Sequence, residues 1–293
     1  MFISARRLFL SLPVLLLLAL PRAGAGLIGV TNDNRLWDLN TATGTASNPR
    51  PVTGLTGGEE VSGLTYGAGT LFGYTTANRL YAIDPTTGLA GLIGTGTIGS
   101  SDIAYDPLTG RIFGLTGGTV ATMFSMDGSN ASTTTIGSHN SPFNEPPGAG
   151  GGLVGENRAG LAFDSSGALW GTTRTVSLNV DSVTELRQYD PLTGQIIQRV
   201  DYSSFYDADR NDIAFDPQTG TLYFADGPAR SIGSLFTLST SADSPTEVGL
   251  TGVSNTNQIG FGGLAFISEV PEPGSVLMLG SGLLFLARRV RKT

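Results

Sequence analysis

The chain has 293 residues, of which 17 are basic, 24 acidic and one a histidine, with 42 glycines and no cysteine. Without cysteine there is no disulfide, no thiolate zinc site and no Cys/His nucleophile pair. Setting aside Arg6, Arg7 and Arg22 at one end, and Arg288, Arg289, Arg291, Lys292 and Glu272 at the other, leaves 10 basic and 23 acidic residues, a net of −13. That balance excludes the clustered cations a nucleic-acid partner requires.

At the N-terminus, Arg6 and Arg7 precede an apolar run from Leu8 to Leu20, followed by Ala23-Gly24-Ala25. The run is short for a membrane span, and the small-x-small triplet is what a signal peptidase cuts. Residues 1–25 are therefore expected to be a secretory signal peptide, with Ala23 and Ala25 marking the cleavage site.

The body, residues 26–269, is organised by three short apolar patterns that recur in fixed order. The first begins at Gly63 (GLTY), Asp102 (DIAY), Gly160 (GLAF), Asp212 (DIAF) and Gly263 (GLAF). The second follows after a turn, at Leu71 (LFG), Ile112 (IFG), Leu169 (LWG) and Leu222 (LYF). The third starts at Leu80 (LYAID), Met123 (MFSMD), Leu186 (LRQYD) and Leu235 (LFTLS), and a weaker fourth segment comes after it. Short aromatic-rich runs separated by Gly, Asp, Pro and Thr predict strands and tight turns. Asp-Pro-x-Thr-Gly at Asp84, Asp106, Asp190 and Asp216 suits a type I turn closed by a left-handed glycine.

Four strands per unit predict an all-β, five-bladed β-propeller. The count follows from a mismatch at the ends. An unpaired second pattern (LIG at Leu27) and third pattern (LWDLN at Leu36) lie near the N-terminus, and their missing first strand is the orphan GLAF at Gly263. One blade is thus expected to be shared between the two ends. An open β-solenoid or a sandwich would leave that mismatch unexplained. The Gly-rich stretch from Gly148 to Gly152 is the one candidate break, and the repeats continue across it.

Candidate chemistry in the body is sparse. His139, the single histidine, lies in GSHNSPFNEPPGAGGG, with no nucleophile-elbow pattern nearby, and reads as a solvated loop residue. Carboxylate catalysis would need two acids facing one sugar. The acids expected on one propeller face are Glu59, Glu60, Asp102, Glu156, Asp207, Asp209 and Asp212. In FYDADRNDIAF, the alternating oxygen ligands Asp207, Asp209, Asn211 and Asp212 could hold Ca²⁺. The segment is not an EF-hand, since Asp212 replaces its glycine and Gln218 its glutamate. The expectation is no obligatory cofactor, with Ca²⁺ as the candidate ion.

The chain closes on VPEPGSVLMLGSGLLFLARRVRKT, Val270 to Thr293. Gly274 to Ala287 would form about 21 Å of helix at roughly 1.5 Å per residue, a short transmembrane helix with Arg288, Arg289 and Arg291 on its cytoplasmic flank. Pro271 and Pro273 keep the preceding segment extended. Val270, Pro271, Glu272 and Pro273, the apolar run and the terminal arginines resemble, in that order, the PEP-CTERM sorting signal of exported bacterial proteins. In pattern, the body resembles the repeat-rich propeller-like domains that often precede such tails. The resemblance implies cleavage near this motif by an exosortase, a cysteine-dependent transpeptidase-like enzyme. It also implies transient anchoring in the inner membrane of a Gram-negative-type cell. Display at the surface or in a biofilm matrix with exopolysaccharide would follow. The expected role is non-catalytic, and the alternative is an exported polysaccharide hydrolase or lyase using the loop-face acids.

Overall fold

The computed structural model describes residues 26–117, 120–140, 153–157, 160–177, 180–202, 212–225, 232–254 and 260–267. The expected signal peptide and its Ala23 and Ala25, the loop acids Asp207, Asp209 and Asn211, and the tail from Val270 to Thr293 lie outside them. So do the tail's flanking Arg288, Arg289 and Arg291, and the break at Gly148 to Gly152. Every element described is a strand, and the 21 strands form five antiparallel sheets.

The N-terminal strands β1 (Gly26–Thr31), β2 (Arg35–Leu39) and β3 (Ala46–Pro51) form three-quarters of the first blade. The second blade is β4 (Val61–Gly67), β5 (Thr70–Thr75), β6 (Arg79–Ile83) and β7 (Ala90–Thr95). The third is β8 (Asp102–Tyr105), β9 (Ile112–Leu115), β10 (Val120–Met126) and β11 (Thr133–Asn140). The fourth has five strands: β12 (Leu153–Asn157), β13 (Leu161–Phe163), β14 (Leu169–Ser177), β15 (Val180–Tyr189) and β16 (Ile196–Tyr202). The fifth is β17 (Asp212–Phe215), β18 (Leu222–Ala225), β19 (Ile232–Leu238) and β20 (Thr246–Ser254). Finally β21 (Phe261–Ile267) returns to the first blade and pairs with β1, from Gly26↔Ile267 to Thr31↔Phe261.

The shared blade is therefore present, in the sheet order β21-β1-β2-β3. The fourth blade goes beyond the four-strand expectation. Its β14–β15 hairpin is longer than its counterparts, and β12 pairs with the distal part of β14 that the short β13 does not reach. Peptide groups along that extension need a partner, and β12 supplies it.

The repeated first pattern forms the inner strands. β21, β4, β8, β13 and β17 neighbour one another in a closed circle. Side chains alternate along these strands, so the third residue faces the next blade and the second faces the previous one. Ala104 accordingly packs with Leu161, Ala162 with Ile213, Ala214 with Leu264, and Ala265 with Leu64. The small residue of one blade receives the branched residue of the next. Five apolar clusters result, one per interface between blades.

The Asp-Pro-x-Thr-Gly motifs are turns, with more internal bonding than the type I assignment requires. Each aspartate Oδ1 accepts the N–H two residues on, from Thr86, Leu108, Leu192 and Gln218. The closing glycines have φ of 72–76°, a region that disfavours any side chain.

Deleting Phe261–Ile267 removes the buried Phe261, Leu264 and Ile267 and opens β1 and β4 to solvent. At about 2 kcal/mol for each large side chain, plus the lost ladder, the cost rivals the 5–15 kcal/mol total stability of a typical domain. The deletion variant is expected to lose cooperative thermal unfolding in calorimetry. An unchanged melting transition would contradict the shared blade.

Candidate functional site: the ring axis

At the head of the five inner strands, the first residue of the repeat reads, in blade order, Gly263, Gly63, Asp102, Gly160 and Asp212. The inner edge of each sheet faces the axis with no further strand to pair, so its N–H groups need another acceptor. The two aspartates provide it. Asp102 Oδ2 accepts the Leu161 N–H at 2.5 Å, one blade onward. Asp212 Oδ1 accepts the Ile213 N–H at 2.7 Å, and its Oδ2 accepts the Leu264 N–H, again one blade onward. A Cβ on Gly63 would lie 2.5 Å from Asp102 Oδ1, and one on Gly160 would lie 2.7 Å from Asp212 Oδ1. Glycine at those positions is what lets the carboxyls fit.

Both aspartates are fully buried, and each feels the other. Burial raises Asp102 well above the usual carboxylate range, and the neighbouring Asp212 charge raises it further. Burial also pushes Asp212 up, to about 7, against the lowering effect of its hydrogen bonds. Two carboxyls in one dry site cannot both ionise cheaply.

At the other end of the inner strands, the fourth residue of the repeat is always aromatic: Tyr66, Tyr105, Phe163, Phe215 and Phe266. Three of them lean on aromatics in the second pattern of the preceding blade. Tyr105 stacks on Phe72 with centroids 6.3 Å apart, Phe163 meets Phe113 edge-on at 5.2 Å, and Phe266 meets Tyr223 at 5.8 Å. This collar surrounds a cavity of about 510 Å³ whose rim includes Pro107, Asp164, Ser165 and Pro217. That is the size and character of a small-ligand site.

The other acids expected on the first face separate. Glu59 is buried, and its carboxylate accepts from Tyr81 Oη (2.5 Å), Thr75 Oγ1 (2.7 Å) and the Thr56 N–H (2.9 Å), with Arg79 Nη1 3.4 Å away. Burial would raise its pKa, but these bonds and the Arg79 charge outweigh that and hold it lowered. Glu60 lies beside the β4 entry, where its N–H donates to Thr76 Oγ1. Of the residues suggested as Ca²⁺ ligands, the described one, Asp212, heads β17 and is committed to the axis. The side chain of Glu156 lies outside the described residues, as do Asp207, Asp209 and Asn211.

His139 is not a solvated loop residue. β10 and β11 pair further than expected, which places it in a strand, 6 % exposed, with Nδ1 3.1 Å from the Gly194 carbonyl and its ring against Tyr189.

Residues 269–292 match the family model of the PEP-CTERM protein-sorting motif. The chain thus carries the recognition signal for exosortase processing, which marks an exported protein, on a five-bladed propeller-like body. No curated protein matches the chain significantly. Similar solved structures include a protein of unknown function from Bacteroides caccae, at 13 % identity and TM-score 0.44, covering 84 % of this chain and all of that one. Another, of unknown function from Dyadobacter fermentans, shows 10 % identity and TM-score 0.48 over 73 % of this chain and 71 % of its own. A chain of a mitotic checkpoint complex shows 10 % identity and TM-score 0.40 over 83 % and 84 %. Likenesses this distant carry no argument, and the propeller assignment rests on the strand pairing.

The axial pair has a pH signature. Between the unfolded carboxylate pKa of about 4 and the folded value of about 7, the native state holds a proton that the unfolded chain has released. Its contribution to stability is complete below that window and is lost as pH rises through it. In EDTA, the wild-type melting temperature is expected to fall from pH 4 to 7 relative to Asp102→Asn/Asp212→Asn, which has no such proton. Parallel curves for the two proteins would contradict the pairing.

Proposed function

We propose that this is an exported, non-catalytic propeller that an exosortase frees from a transient inner-membrane anchor, for the cell surface or an exopolysaccharide matrix. The observation that carries this reading is the sorting motif at 269–292, which begins two residues after β21 ends at Ile267. The strand that closes the ring leads directly into the signal in sequence.

The position of that exit adds to the reading. β21 ends at the same end of the inner strands as the aromatic collar, with Ile267 opposite Gly26. Pro271 is four residues beyond Ile267, a reach of at most about 14 Å in extended chain. While the tail is anchored, the collar end of the body is the end tethered to it. Aromatic faces with a few polar rim groups suit the apolar faces and hydroxyls of a sugar ring. The matrix polysaccharide is therefore the ligand class we assign to the collar. The raised carboxyls Asp102 and Asp212 would suit acid catalysis, but their burial and their bonds to strand amides speak for a structural role and against the hydrolase or lyase alternative.

Two measurements test this. In mass spectrometry, external wild-type protein is expected to end near Pro273, and a Pro271→Ala/Glu272→Ala/Pro273→Ala variant to remain full-length in the inner membrane. External protein ending at Thr293 would overturn processing. Released protein is expected to bind extracted matrix polysaccharide without shortening it, and Tyr105→Ala/Phe163→Ala to weaken binding at least about tenfold, the loss of roughly 1.4 kcal/mol. Shortened polysaccharide, or equal binding by the variant, would overturn the collar assignment.

A further inference from the structure

The cavity within the aromatic collar has a charge preference. Among the described residues that line it there is one acid, Asp164, and no lysine, arginine or histidine. Asp164 is fixed by its own turn, where Oδ1 accepts the Ser166 N–H at 2.9 Å and the Ala168 N–H at 3.0 Å. Its Oδ2 accepts the Trp170 indole N–H at 3.4 Å, a long bond, so that oxygen has capacity for a stronger donor.

The surroundings carry the same sign. Because neighbouring strands are antiparallel, the turns that join first to second and third to fourth strands lie at the collar end. Asp106 and Asp216 open two of them, directly before the rim prolines Pro107 and Pro217. Asp84, Asp127 and Asp190 open others, where bonds from Thr86, Ser129 and Thr193 respectively hold them below the usual carboxylate range. They stay ionised. Arg111 is the one base in these turns, and its Nη2 donates to Ser125 Oγ at 2.7 Å. Arg158, Arg210 and Arg230 lie outside the described residues, in connections that join strands at the opposite end. Aromatic faces are themselves negative and attract an ammonium group. A carboxylated or sulfated sugar would meet no counter-charge here and would lose its water beside Asp164.

We infer that the collar selects a cationic glycan, a polysaccharide whose amino sugars carry free ammonium groups, and rejects uronate- or sulfate-bearing chains. The sugar ring lies on the collar aromatics and its ammonium group pairs with Asp164. The inference rests on the polysaccharide reading and names the class of polysaccharide. The acidic surplus of the body, a net of −13, draws such a chain toward the mouth and repels an acidic one.

The test is calorimetric titration of the released protein, in weakly acidic buffer, with three probes: a glucosamine hexamer, its fully N-acetylated counterpart and an oligogalacturonate. The glucosamine hexamer is expected to bind at least about tenfold tighter than the N-acetylated one, and the oligogalacturonate not to bind. Asp164→Asn, which keeps an acceptor for the turn, should bring the two hexamers to similar affinity. Tyr105→Ala/Phe163→Ala, which keeps every charge, should lose the glucosamine hexamer. If that double variant still bound it as the wild type does, the polycation would merely coat an acidic surface, and the inference would be overturned. Equal wild-type binding of the two hexamers, tighter binding of the oligogalacturonate, or an undiminished preference in Asp164→Asn would overturn it as well. Binding of extracted matrix polysaccharide without binding of the glucosamine hexamer would overturn this inference alone. Binding of neither would overturn the polysaccharide reading with it.

Discussion

The structure depends on the pairing of β21 with β1. A ring of blades has no end strand to sacrifice, and an unclosed ring would expose two inner faces and the edges of two sheets. Many exported domains could fasten such a joint with a disulfide, but this chain has no cysteine. The joint is therefore made from backbone ladder and apolar burial alone. Phe261 and Leu264 pack toward the fifth blade, and Ala265 and Ile267 toward the second. One seven-residue strand thus completes one sheet and two of the five interfaces between blades. Because the sorting motif follows it directly, the segment that closes the fold also presents the signal.

The axis faces a second constraint. Inner-strand amides have no further strand to pair with on the axis side; aspartates from two of the five blades accept from some of them, and the other three blades place glycine at that position. Asp102 serves Leu161, Asp212 serves Leu264, and each glycine leaves room for what comes next in the circle. The outer edges are handled differently. β3 carries Pro49, Arg50 and Pro51, residues that resist pairing with another sheet. The acidic surplus of the body opposes edge-to-edge association in the same direction.

Much of this could be read from the repeat. The order of the three patterns gave the strand sequence, and the orphan GLAF at Gly263 gave the shared blade. The Asp-Pro-x-Thr-Gly turns were legible because each residue has a local role. What sequence could not show was spatial. The Gly-Asp-Gly-Asp-Gly alternation at the first position and the aromatic at the fourth were both visible, but only the ring order brings Asp102 to Asp212 and sets five aromatics around one mouth. Glu59 was misleading for a similar reason. Its partners Thr75, Arg79 and Tyr81 come from later strands, and they turn a candidate catalytic acid into a fixed structural anion. His139 was misread because β10 and β11 extend past the short apolar core of their pattern.

Hydrogen exchange of the native protein tests the central claim most directly, because it reads the free energy of opening strand by strand. If β21 closes a single cooperative ring, the amides of β1 and β21 exchange only by global unfolding, with the same protection as the inner strands β4, β8 and β17. If β1 and β21 instead exchange much faster than those strands while the rest of the body stays protected, the ends are a loose appendage and the ring does not depend on their pairing.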